Sequence, residues 1–185
     1  MKEKLAIFDL DGTLFDTNFV NYYSYKEALE YFDINTMIEY NEYKEWNGKS
    51  YKEFLPQLVN DKELIEKVHD KKVELYEKNL NKARANEHLF NIIEGIKDSY
   101  NIALVTTASR KNTLQIVEYF GKTKLFDLII TKEDVKKIKP NPEGFIKAME
   151  YFKTDSKDTI IFEDSQVGIS AARESRAVVF TVNKF

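Results

Sequence analysis

"LAIFDLDGTLFD", residues 5–16, sets two carboxylates, Asp9 and Asp11, two positions apart directly after the apolar run Leu5-Ala6-Ile7-Phe8. A short continuous apolar run is the pattern of a strand buried on both faces of a parallel sheet. Gly12 allows the chain to turn tightly beyond it. Like charges about 4 Å apart cost roughly 4 kcal/mol at an effective dielectric near 20, so this strand end calls for a cation, a shared proton or a divergence of the side chains.

Similar runs recur at residues 102–105, 128–130, 160–162 and 177–182. Helical patterns separate these last four. One lies between Ser109, an N-cap, and Gly121, a stop, with Leu114, Val117 and Phe120 as its apolar positions. The next starts with Asn141 as cap and Pro142 at the first helical position, with Phe145, Ile146, Met149 and Phe152 on one face. A third runs from about Ser165 to Arg173. Alternating strands and helices predict an α/β fold, a three-layer Rossmann-like parallel sheet.

The first strand departs from this alternation, because the whole of residues 9–101 follows before the next run. Phe19, Tyr22, Tyr23, Leu29 and Phe32 form one apolar helical face there, and Leu64, Ile65, Val68, Val73, Leu75 and Tyr76 mark a further helical region. The expected division is a core of residues 1–16 and 83–185 with an α-helical cap inserted at 17–82. The alternative is one continuous α/β domain with extra helices.

The chain has 185 residues, of which 43% are hydrophobic, enough for a substantial core. Its 28 Lys+Arg against 31 Asp+Glu give a net charge of −3, which offers no general attraction to nucleic acid or to an anionic membrane. The absence of cysteine excludes disulfides and thiolate chemistry. The run at 5–8 is too short for a signal-peptide core, and nothing approaches the roughly 20 apolar residues of a membrane span. The expectation is a soluble, cytoplasmic protein whose partner is a small molecule; oligomeric state leaves no mark on the sequence.

In open parallel sheets ligands bind beyond the carboxyl ends of the strands. Asp9 and Asp11 fall there, as do Thr106 and Thr107 in "ALVTTAS", Glu163 and Asp164 in "IIFEDSQVG", and Lys139 in "KIKPNPEGF". Clustered carboxylates suit a hard cation such as Mg²⁺, which also takes phosphate oxygens, and lysine with backbone amides suits the phosphate. Asp9 is placed for nucleophilic attack on phosphorus. The plainer readings are a turn with a capping aspartate at 9–11, an ordinary strand residue at Thr106, and a helix cap at Ser165. His69 and His88 are isolated and receive no chemical role.

"DLDGT" resembles the first motif of the haloacid dehalogenase superfamily of phosphotransferases, "ALVTT" the second, "KPNP" the third and "FEDS" the fourth, in that order along the chain. The insertion resembles the helical cap of the subfamily that contains β-phosphoglucomutase, phosphoglycolate phosphatase and small sugar phosphatases. The resemblance implies that Asp9 is the nucleophile and Asp11 the acid/base. It implies that Asp9, the Asp11 carbonyl and Asp164 hold Mg²⁺, with Glu163 a ligand or a support, and that Thr106, Thr107 and Lys139 bind phosphate. "EWNGKSYKEF", residues 45–54, resembles the cap loop that selects substrate, which makes Lys49, Ser50 and Tyr51 substrate contacts; a plain helix start at Ser50 with Glu53 as its box acid fits as well. Asn21 and Tyr51 stand where the mutase pattern has histidine and arginine, whereas Lys72 matches a cap lysine of that pattern. The implied activity is Mg²⁺-dependent hydrolysis of a small phosphorylated metabolite, with a phosphomutase or a non-catalytic phosphate-binding module as alternatives.

Overall fold

In chain order the strands are β1 (Lys4–Phe8), β2 (Phe15–Asp16), β3 (Arg84–Ala85), β4 (Tyr100–Val105), β5 (Leu128–Ile130), β6 (Thr159–Glu163) and β7 (Val178–Thr181). The helices are α1 (Asn18–Tyr31), α2 (Tyr40–Lys44), α3 (Tyr51–Phe54), α4 (Lys62–Leu75), α5 (Glu87–Ile96), α6 (Arg110–Tyr119), α7 (Glu143–Phe152) and α8 (Gln166–Glu174). They come from a computed structural model that describes residues 2–34, 38–46 and 50–183. The chain divides into two compact units, residues 1–16 with 84–185, and residues 17–83.

The first unit is built on a parallel sheet of order β5-β4-β1-β6-β7. β1 lies at its centre, with Phe8 opposite Leu104 of β4 on one side and Phe162 of β6 on the other. The chain winds outward from β4 to β5, then crosses through α7 to β6, so the winding reverses beside β1. That reversal opens a crevice at the carboxyl ends of β1, β4 and β6, where a ligand can enter. Strand alternation sends Leu5 and Ile7 to one face, where they join Ala103, Val105, Ile130 and Ile161 beneath Phe145, Ala148 and Met149 of α7 and Ala171 and Ala172 of α8. At the carboxyl end Phe8, Phe162 and Phe180 stack across three strands, with centroids 4.6 and 5.1 Å apart. The expected α/β class is therefore observed.

β2 and β3 form a short antiparallel pair, held by Arg84 to Asp16 at 2.7 Å. The second unit, residues 17–83, is helical. Its α1 and α4 pack together around Tyr22, Tyr25, Ala28, Leu29, Phe54, Ile65 and Val68. Asp61 caps α4 by accepting the Glu63 and Leu64 amides.

Several local expectations change. On α6 the buried residues are Asn112, Thr113, Ile116 and Val117, and Leu114 is exposed. Steps of three turn 300° round a helix, so an i, i+3, i+6 series drifts off the face, whereas 113, 116, 117 and 120 hold it. Ile146 likewise faces out on α7 while Ala148 packs inward, and Phe19 is exposed on α1 while Tyr25 and Ala28 are buried. α7 starts one residue late: Pro142 occupies its cap position, and the Asn141 side chain accepts the Glu143 amide at 3.1 Å. The outer strands are not buried on both faces. Val178 and Phe180 of β7 are 50% and 48% exposed, because an edge strand has a neighbour on one side only. α5, capped by Asn86, lies in the long helical interval between the first two apolar runs, where no individual helix is expected from the sequence.

Candidate active site

The ammonium of Lys139 sits where the carboxyl ends of β1, β4 and β6 converge. It donates to Asp9 Oδ1 at 2.6 Å, to Glu163 Oε1 at 2.7 Å and to the Val105 carbonyl at 2.9 Å, so its three protons meet one acceptor from each strand. Asp9 is 7% exposed and Glu163 1% exposed, and the Lys139 side chain is buried with them. An ion triad this buried holds only while its members stay matched.

Glu163 is fixed at its other oxygen, Oε2, by the Ser165 amide at 2.9 Å and the Ser165 hydroxyl at 3.1 Å. Ser165 also caps α8 by accepting the Gly168 amide, so the expected cap is present and supports Glu163 as well. A side chain at Gly168 would strike the Glu163 carboxylate. Asp164 Oδ1 accepts from the Thr13 hydroxyl at 2.9 Å. Gly12 stands at φ +85°, and a Cβ there would collide with Asp164 Oδ2, so the turn after β1 is shaped around that carboxylate. The same turn is tied down by the Gly12 amide to the Phe15 carbonyl at 2.8 Å and by Asn86 Nδ2 to the Thr13 carbonyl at 3.2 Å.

Asp9, Glu163 and Asp164 each offer an oxygen, all within 4.8 Å of one another. Burial pushes the Asp9 carboxyl well above the usual carboxylate range; Lys139 opposes that shift, while Glu163 and Asp11 reinforce it. Asp164 is pushed up to about 6, again chiefly by burial, with Thr13 opposing and Glu163 and Asp11 reinforcing. Burial alone would lower Lys139, but the Asp9 and Glu163 carboxylates hold it above its ordinary value. One ammonium thus pairs with only two of the carboxylates gathered here, Asp9 and Glu163, and the oxygen-only donor set of Asp9, Glu163 and Asp164, its spacing and the Gly12 cradle fit a hard divalent cation.

Half-buried Asp11 lies close enough for its charge to act on both Asp9 and Asp164. Thr106 is buried at the end of β4, and its hydroxyl accepts the Ala108 amide at 3.0 Å. Thr107 is exposed and, among the described residues, takes no part in this hydrogen-bonded group. In the second unit Ser50 is the N-cap of α3 and accepts the Lys52 amide. The Tyr51 hydroxyl donates to Glu66 Oε2 at 2.6 Å, and its ring stacks on His69 at 3.6 Å. Lys49 lies outside the described residues. Thr13, Asn86 and the Val105 carbonyl were not singled out from sequence. Thr13 adjoins the quoted aspartates and could have been found there, whereas a main-chain carbonyl leaves no trace in a sequence.

The haloacid dehalogenase-like hydrolase family matches the chain over residues 6–182. The chain belongs to that family, in line with the order of its four motifs. A phosphorylated carbohydrates phosphatase of Thermotoga maritima is 25% identical over 180 residues, covering 92% of this chain and 80% of the relative. Pyrophosphatase PpaX of Halalkalibacterium halodurans is 27% identical over 192 residues, covering 95% and 81%. Among solved structures, CbbY from Rhodobacter sphaeroides in complex with phosphate shares the fold, with a TM-score of 0.86 at 22% identity over 100% of this chain and 88% of that one. No helix among the described residues is long and apolar enough to cross a membrane.

Proposed function

We propose that this hydrolase is a Mg²⁺-dependent phosphatase that cleaves a small phosphomonoester, such as a sugar phosphate, through an aspartyl-phosphate on Asp9. The observation that carries the reading is the buried Asp9 carboxylate, held by Lys139 and sharing a 4.8 Å cluster with Glu163 and Asp164. Asp9, the Asp11 carbonyl and Asp164 would hold Mg²⁺ with Glu163 beside them, and the ion would supply positive charge to the phosphoryl oxygens and to the nucleophile. An oxygen of Asp9 attacks phosphorus as the ester P–O bond breaks, and Asp11 gives its proton to the leaving oxygen. A water then attacks the phosphorus of the aspartyl-phosphate and loses its proton to Asp11, which releases phosphate and restores the Asp9 carboxylate. Thr106 and Lys139 stabilise the charge on the phosphoryl oxygens. Residues 17–82 act as the cap that selects the substrate, and Lys49, Ser50 and Tyr51 are its proposed contacts.

Hydrolysis is favoured over isomerisation by two side chains. A mutase must grip a bisphosphate intermediate and shield it from water. Where its pattern supplies imidazole and guanidinium, this chain has Asn21, which donates to Thr17 Oγ1 at 3.2 Å, and Tyr51, which donates to Glu66. Neither brings positive charge to a second phosphate. The names of the two sequence relatives, a carbohydrate phosphatase and a pyrophosphatase, support phosphate release. The test is release of inorganic phosphate, with Mg²⁺, from a panel of sugar phosphates, phosphoglycolate and pyrophosphate. Release from at least one phosphomonoester is expected. Conversion of β-glucose 1-phosphate to glucose 6-phosphate faster than phosphate release would make it a mutase. Orthophosphate binding with no turnover on the panel would make it a binding module.

A further inference from the structure

Lys139 reaches Asp9 and Glu163 from the segment between β5 and α7, where no sheet ladder fixes the main chain. Glu143, the first residue of α7, supplies what the ladder does not. Its Oε1 accepts the Lys136 amide and its Oε2 the Lys137 amide, both at 2.9 Å. Lys147, one turn along the helix, ion-pairs with Glu143 Oε1 at 2.9 Å and donates to the Asp134 carbonyl at 2.6 Å. The carboxylate therefore ties the amides two and three residues before Lys139 to the start of a helix whose Phe145 and Met149 are set in the core. The Lys136 amide, Lys147 and the Lys137 amide, in that order, hold its carboxyl down to about 2, so it remains ionised across the neutral range.

We infer that Glu143 is a positioning residue: its grip on the Lys136 and Lys137 amides sets how far the Lys139 ammonium reaches between Asp9 and Glu163. The catalytic consequence rests on the phosphatase reading; the structural claim does not. A lysine carries four flexible methylenes, so a shift of about 1 Å in its main chain is absorbed as a less exact ammonium position, and such displacements cost up to about a hundredfold in rate. Gln at 143 keeps one acceptor but turns an NH₂ toward an amide donor, whereas Asp keeps the charge and is one methylene short.

The test has two arms, each run on wild type, Glu143→Gln, Glu143→Asp and Lys147→Met. In the first, pulsed acylation with acetic anhydride and peptide mass mapping compare Lys139 with the exposed Lys153. The buried, paired Lys139 is expected to be protected in wild type and to react about tenfold faster in Glu143→Gln, because a released ammonium can deprotonate and act as a nucleophile. Glu143→Asp should fall between them. Lys147→Met, which keeps both main-chain bonds, should resemble wild type. In the second arm kcat for a phosphomonoester is expected to drop about 10- to 100-fold in Glu143→Gln with KM within about twofold, the signature of a lost transition-state contact. Unchanged Lys139 acylation in a folded Glu143→Gln protein overturns the inference, as does full kcat. An inactive wild type with the acylation difference intact overturns the phosphatase reading alone.

Discussion

Replacing Lys139 by Met removes the one ammonium between Asp9 and Glu163 and keeps most of the side-chain volume. The Asp9 and Glu163 oxygens are then within 4.8 Å of each other with no cation between them. At an effective dielectric near 20 their repulsion is about 3 to 4 kcal/mol. Proton uptake caps the cost, since protonating an ordinary glutamate at pH 7 costs about 2.7 units at 1.36 kcal/mol each, or about 3.7 kcal/mol. Both limits agree with the roughly 3–5 kcal/mol seen when one partner of a buried ion pair is removed. With a urea slope of about 2 kcal/mol/M, the unfolding midpoint of the metal-free variant should fall by about 1.5 to 2 M. Urea titrations of both proteins in EDTA at pH 7, followed by circular dichroism, measure this. Repeating them with 10 mM Mg²⁺ should recover part of the loss, because a cation that binds only the folded state stabilises it. A midpoint within 0.3 M of wild type in EDTA would refute the electrostatic account of the triad.

Gly12→Ala should destabilise by about 1–3 kcal/mol through its positive φ and should weaken divalent-cation binding by displacing Asp164, seen as a lower melting temperature and a smaller Mg²⁺-induced rise in it. Asn there, tolerant of the left-handed region, should relieve the φ strain but not the clash. Glu143 predicts a pH dependence. Its folded pKa of about 2 lies below the ordinary 4.5, so its stabilisation is full above pH 5 and is lost as pH falls toward 2. The melting-temperature gap between wild type and Glu143→Gln should be constant from pH 6 to 8 and narrow as pH drops from 5 to 3; a gap that widens on acidification would contradict the assignment.

The Lys139 ion triad of the candidate site was legible because Asp9 and Glu163 follow or end apolar strand runs and Lys139 adjoins Pro140, and the sheet brings those ends together. Asp9, Glu163 and Lys139, far apart in sequence, meet for that reason. Helix faces were read less well. Leu114 and Ile146 are as apolar as their buried neighbours, and only the angular arithmetic of 113, 116 and 117 separates inside from outside. α5 carried a signal that went unread, since Leu89, Phe90 and Ile93 follow the Asn86 cap at helical spacing. Glu143 could not be read from its sequence neighbourhood, because two of its partners are main-chain amides, and every residue but proline has one. The edge position of β7 was equally hidden. Its apolar residues match those of a central strand, and topology alone leaves Phe180 half exposed.

The central claim is that Asp9 carries the phosphoryl group. Asp9→Asn keeps the size of the side chain, but an amide is a far poorer nucleophile and a weaker ligand for a hard cation. The decisive measurement is phosphate release, with Mg²⁺, by wild type and Asp9→Asn side by side on the best phosphomonoester of the panel, with circular dichroism confirming that both are folded. The account predicts turnover by wild type and none above background by Asp9→Asn. Near-normal release by a folded Asp9→Asn protein would contradict it.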